Sequence, residues 1–162
     1  MRPRVVIHNA VSLDGRVSGF EVDMGRYYAL ASTWKDDATL CGSGTIIAAP
    51  EGRVREKNGD VPDREVDPKD KRSLLIVADS RGRVRCWSML LGAGFWRDGI
   101  ALCSSRTPAR HIDYLRTRGV SRIIAGDKRV DLVKVLTVLR GRYDVRTVRV
   151  DSGGTLNAAL LR

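Results

Sequence analysis

The stretch VSRIIAGDKRVDLVKVLTVLRGRYDVRTVRVD, residues 120–151, changes its hydrophobic period twice. VSRIIAG is a short β-branched run closed by glycine, which reads as a strand. In VDLVKVLTVLRGR, Leu132, Val135, Leu136 and Leu139 fall on one face at helical spacing. DVRTVRVD returns to strand character and ends at Asp151. Strand and helix alternating in this way predict a mainly parallel sheet with helices packed on its faces.

The same alternation extends outward. LLIVAD (Leu74–Asp79) and GIALCSS (Gly99–Ser105) are continuous apolar runs, as expected of strands covered on both faces. Pro108 and Ala109 open the helix ARHIDYLRTRG, with Ile112 and Leu115 at helical spacing and Gly119 as its stop. Val5–Val11 reads as a strand before the Asp14-Gly15 turn signal, and Arg26–Trp34 as a helix. Ala38–Cys41 is a strand leading into GSGT, Gly42–Thr45. The segment VRCWSMLLGAGFW is apolar but interrupted by glycine and takes no assignment. Glu51–Ser73 is charged, holds two prolines, and reads as a long, mobile excursion. The fold class expected is α/β, with a mainly parallel central sheet and helices on both faces.

At 162 residues and 43% hydrophobic content, the chain suits one domain with its own core. No apolar run approaches the roughly 20 residues needed to span a bilayer, and the N-terminus lacks the apolar core of a signal peptide. A soluble cytoplasmic protein is expected. The three cysteines, Cys41, Cys86 and Cys103, are odd in number and scattered. They give neither a disulfide framework nor a metal-ligand spacing, so buried thiols and no metal are expected. The net charge of +10 rests mostly on arginine. It is compatible with nucleic acid, with phosphate-bearing small molecules, or with a plain solubilising surface.

Ligands of open α/β sheets sit beyond the carboxyl ends of the strands, and three such ends carry polar or glycine-rich sequence. At Asp151–Asn157, Gly153 and Gly154 let the backbone approach a ligand. The unpaired N–H groups of the helix that follows would favour a phosphate. The alternative is a plain strand-to-helix turn with glycine for its special dihedrals. Gly42–Thr45 is a second turn open to both readings. At Asn9–Arg16, NAVSLDGR is a polar-tipped turn or a set of ligand contacts through Ser12 and Asp14. His8, inside an apolar strand, reads as a hydrogen-bonded core histidine. His111, on a helix among charges, reads as solvated.

Taken in order, NAVSLDGRVSG, DDATLCGSGTIIA, LLIVADSRGRV, GVSRIIAG, VDLVKVL and VRVDSGGTLNAALLR resemble the pyrimidine reductase of riboflavin biosynthesis. That family comprises the reductase domain of the bifunctional deaminase-reductase and its stand-alone archaeal counterparts. The resemblance implies a dihydrofolate-reductase-like fold, a homodimer, and NADPH-dependent reduction of a ribosyl group to ribityl on a 5′-phosphorylated aminopyrimidine. It places Thr45 and Ser80 at NADPH, Ala10 near the nicotinamide, and Gly153, Gly154 and Thr155 at the pyrophosphate. It places Asp151 on the substrate side, where the family has glutamate, together with Ser12, Asp14 and, less firmly, Arg16.

The sequence departs from the family pattern on that substrate side, near Thr33 and Trp34 and again at Ala48–Pro50. Residues 1–162 are then expected to form a single reductase-like domain lacking the C-terminal strands of other members. The other readings are a dihydrofolate or pterin reductase of the same fold and a basic nucleic-acid-binding domain. The spread of arginines and the scarcity of aromatics beside them disfavour the nucleic-acid reading.

Overall fold

The computed structural model describes residues 1–49, 56 and 69–162. Six strands alternate with helices along the chain. They are β1 (Arg4–Ile7), α1 (Met24–Ala31) with a 3-10 turn at Ser32–Trp34, β2 (Ala38–Gly42), α2 (Ser43–Ala48) and β3 (Leu74–Ala78). Then follow α3 (Trp87–Gly92), β4 (Asp98–Cys103), α4 (Ala109–Thr117), β5 (Ser121–Ile124), α5 (Leu132–Arg142), β6 (Thr147–Val150) and α6 (Gly154–Leu160). The strand order is β1-β6-β2-β3-β4-β5, and every pairing is parallel.

The period-2 geometry of each strand sorts its side chains between two cores. Leu40, Ile76, Ile100, Leu102, Ile123, Val148 and Val150 pack on one face under Val135, Leu136 and Leu139 of α5 and Leu156 of α6. Cys41, Leu75, Val77, Ala101 and Cys103 pack on the other under Trp87 and Leu91 of α3 and Leu115 of α4, with Ile46 of α2 at the margin. β3 and the Ile100–Cys103 part of β4 are therefore apolar without interruption, because both sides are covered. Helix starts follow local chemistry: Asp23 accepts from the Arg26 N–H at 2.9 Å, and Asp131 from the Lys134 N–H at 3.0 Å.

One unassigned segment finds its place and two expectations need correction. The segment without assignment forms α3, whose Trp87 is fully buried and anchors the second core. The first strand stops at Ile7, because the ladder to β6 ends at the Ile7–Val150 pair and the next residues turn to side-chain partners. His111 is fully buried, with its Nε2 3.5 Å from Oδ2 of the buried Asp79. It lies beneath the turn after β3. Gly82 there has φ +64°, and a Cβ on it would meet the His111 Cβ at 2.7 Å, so this turn requires glycine. Most of the charged excursion, and Pro50 before it, lie outside the described residues. Among the described residues no helix is long and apolar enough to cross a membrane.

Candidate active site

In this sheet the helix after β2 packs on one face and the helix after β6 on the other, although β2 and β6 are neighbours. The chain thus parts at their carboxyl ends, where doubly wound sheets place their ligands. Ser152, buried just after β6, ties the two turns together. Its hydroxyl accepts from the Gly42 N–H at 3.1 Å and lies 3.1 Å from the Thr45 hydroxyl. A Cβ at Gly42 would stand 3.0 Å from that oxygen, so glycine makes room for the serine. The turn after β1 joins them: Asn9 Nδ2 donates to the Ser152 carbonyl at 2.8 Å. Asn157 Nδ2 donates to Asn9 Oδ1 at 2.7 Å and to the same carbonyl at 3.2 Å.

Gly153 and Gly154 differ from Gly82 in what surrounds them. Gly153 has φ −78° and ψ −179°, ordinary extended backbone. Neither glycine has positive φ, and a Cβ on either would meet nothing within 4 Å. The fold itself therefore demands glycine at neither position, which removes the special-dihedral explanation of the pair. Both are exposed, as is Thr155, at the start of α6 where main-chain N–H groups lack intrahelical acceptors.

Asp151 sits at the head of a polar network running into the sheet. Its Oδ2 lies 3.3 Å from Nη1 of Arg149, and its Oδ1 lies 3.0 Å from the Tyr27 hydroxyl. That hydroxyl is also 2.9 Å from the His8 carbonyl. Burial first, and the Asp151 charge second, push the Tyr27 phenol well above its ordinary range. Arg149 is buried, with Nε 3.1 Å from Asp36 Oδ1 and Nη2 donating to Thr39 Oγ1 at 2.8 Å. Burial likewise raises the thiol of neighbouring Cys41 to about 12, and those of Cys86 and Cys103 to about 11. All three cysteines are free and buried, as expected. His8 is half-buried beyond the strand rather than inside it. It accepts from Trp34 Nε1 on Nδ1 at 3.3 Å and contacts the Tyr27 carbonyl through Nε2 at 3.3 Å.

The remaining residues marked from sequence are placed as follows. Ala10 is half-buried directly after Asn9. Ser12, Asp14 and Arg16 bond among themselves around the turn: Ser12 Oγ donates to Asp14 and accepts from the Arg16 N–H, and Arg16 pairs with Asp14 at 2.8 Å. Ser80 joins three strand ends. Its hydroxyl accepts from the Val130 N–H at 3.0 Å and its carbonyl accepts from Thr107 Oγ1 at 2.9 Å. Arg83, three residues on, donates to Ser43 Oγ at 3.0 Å and so brings the β3 turn against the GSGT corner.

The structure thus brings Thr45, Asp151 and the 153–155 turn to the carboxyl ends of the neighbouring strands β2 and β6, and leaves the Ser12–Asp14 turn bonded to itself. Sequence reasoning did not single out Ser152, Arg149, Tyr27, Asn9 or Asn157. A signal existed for Arg149: a charged residue in an apolar strand with a carboxylate two residues on. Among the described residues no group of three or more His, Cys, Asp or Glu side chains is placed to hold a metal ion.

Comparison with known proteins gives a consistent picture. A curated relative from Archaeoglobus fulgidus, a 2,5-diamino-6-ribosylamino-4(3H)-pyrimidinone 5′-phosphate reductase, is 29% identical over 174 residues, covering 99% of this chain and 75% of its own. A protein of the same name from Methanothermobacter thermautotrophicus is 27% identical over 99% of this chain and 72% of its own. In fold, the chain is similar to the Saccharomyces riboflavin biosynthesis reductase Rib7, with a TM-score of 0.64 at 22% identity over 99% of this chain and 67% of that one. This is the dihydrofolate-reductase-like α/β architecture. The RibD C-terminal domain family matches residues 3–162, nearly the whole length, and the chain belongs to that family.

Proposed function

We propose that this chain is an NADPH-dependent reductase of riboflavin biosynthesis, converting the ribosyl group of a 5′-phosphorylated ribosylaminopyrimidine to ribityl. The observation that carries this reading is the pair Gly153–Gly154, which the fold does not need and which opens onto the turn that Ser152 binds to the GSGT corner. Family membership and the relatives' names supply the reaction.

The residues present fit the cofactor. Main-chain N–H groups at Gly153, Gly154 and Thr155 would meet its pyrophosphate, Thr45 and Ser80 would line its path, and Ala10 would lie near the nicotinamide. NADPH, when bound, supplies a hydride, and C1′ can accept one only in the ring-opened imine form. The protein's own part is orientation, which removes much of the entropic barrier. Asp151 accepts hydrogen bonds from sugar hydroxyls, with Ser12 and Asp14 on the outer rim of the substrate side. A proton for the product comes from water, since Tyr27, held well above its ordinary range, is a weak acid.

A homodimer suits the flank formed by β1 and α1. Ile7 of β1 and Met24, Tyr28 and Leu30 of α1 are each exposed, as are Val11 and Leu13 in the turn between them, and exposed apolar side chains of this size suit an interface. A cytoplasmic location suits water-soluble substrates and NADPH.

Nicotinamide fluorescence during NADPH titration tests the reading. Binding is expected, and Gly154→Ala weakens it about tenfold, roughly 1.4 kcal/mol, while the thermal midpoint holds. No fluorescence change at millimolar NADPH in a folded chain would overturn it. Loss of NADPH absorbance with the pyrimidine substrate, but not with dihydrofolate, identifies the reaction.

A further inference from the structure

We propose that Arg149 is a positioning residue for the reduction, acting on the substrate through Asp151. The inference rests on the reading above in which Asp151 meets the sugar hydroxyls.

Arg149 sits on β6, the strand that ends at Asp151, and each of its guanidinium nitrogens has a partner. Nε faces Asp36 Oδ1 at 3.1 Å, Nη2 donates to Thr39 Oγ1 at 2.8 Å, and Nη1 lies 3.3 Å from Asp151 Oδ2. Thr39 in turn donates to Asp36 Oδ2 at 2.9 Å. The inner part is closed to water: the side chains of Arg149 and Asp36 are each 8% exposed, whereas that of Asp151 is 24% exposed. The network therefore has one more exposed end, the Asp151 carboxylate.

A buried ion pair is weak support for stability, since apolar residues of similar volume often serve as well. What this one supplies is geometry. The planar guanidinium, fixed by Asp36 and Thr39, pins one oxygen of Asp151, and Tyr27 pins the other from the opposite side at 3.0 Å. A carboxylate has about four acceptor sites. With one used on each oxygen, the carboxylate is held at both ends and keeps acceptor capacity for a substrate hydroxyl. A lysine in place of Arg149 keeps the charge but cannot hold three acceptors in one plane.

The test is a double-mutant cycle with the full chain, NADPH and the phosphorylated ribosylaminopyrimidine. Arg149→Lys is expected to lower kcat about tenfold, the scale of a modest misplacement of a contact group, with the NADPH fluorescence titration unchanged. Asp151→Asn lowers kcat at least as much. The double variant is expected to be no slower than Asp151→Asn alone, because Arg149 acts only through that carboxylate. A merely structural arginine would give losses that multiply. Multiplied losses, or an Arg149→Lys variant with wild-type kcat, overturn the inference while leaving Asp151 in place. A wild-type rate in Asp151→Asn overturns the role of Asp151 and the inference with it. If Arg149→Lys does not fold, Thr39→Val takes its place. It removes one of the three anchors, and a smaller loss in kcat, absent in the Asp151→Asn background, is expected of it.

Discussion

A histidine sealed beneath a glycine turn cannot take up a proton without a charge entering the core. His111 is in that position. Among the described residues neither ring nitrogen has a hydrogen-bond partner, and the nearest carboxylate oxygen, on Asp79, is 3.5 Å away. Desolvation holds its pKa below the ordinary imidazole value, against the opposing pull of Asp79. The unfolded chain, with histidine near 6.5, then binds the proton more readily than the folded one. The stabilisation is therefore complete above about pH 6.5 and is lost as the pH falls toward the depressed folded value, at up to roughly 1.4 kcal/mol per pH unit. Urea midpoints at about pH 7.5 and 5.5 check this. The acid drop is expected in the wild type and should shrink in His111→Gln, with the Gly82 turn responding because it packs on the ring.

At the scale of elements, α3 and α4 are joined by one side chain from the charged excursion. Glu56 accepts from Ser88 Oγ at 3.0 Å, from the Met89 N–H at 3.1 Å and from the Tyr114 hydroxyl at 2.8 Å, and pairs with Arg118 at 3.2 Å. The Arg118 and Glu56 side chains are 2% and 5% exposed. Removing the carboxylate by Glu56→Ala takes this counter-charge away from a buried guanidinium. It is expected to cost about 3 kcal/mol or more in a urea unfolding curve.

Elements of this kind mark where the sequence was legible and where it was not. The buried runs of β3 and β4 and the stripe of α5 announce themselves, since continuous burial and a 3.6-residue period leave a local pattern. The candidate site does not. Asn9, Gly42 and Ser152 meet only because β6 lies between β1 and β2, and strand order is written in no single segment. Arg149 in TVRV looks like ordinary outward alternation until the strand is found covered on both faces. Glu56 is one charge among many in its excursion.

The whole molecule inherits a problem of assembly from that strand order. The strands β2, β3, β4 and β5 are neighbours in both chain and sheet, so each of their pairings closes a loop much shorter than the one between β1 and β6. In contrast, β1 touches the sheet through β6, its Arg4 opposite Thr147 near the other end of the sequence. Long loops are closed late. Core substitutions in the first group, such as Ile76→Val, are expected to slow refolding. Val148→Ala in β6 should chiefly speed unfolding, which stopped-flow chevrons distinguish. In a polypeptide emerging from the ribosome, the segment made first is thus the last to find its place. Until β6 emerges, the apolar stretch from Val5 to Ile7 must be kept from sticking elsewhere, and it is there that a chaperone would find its hold.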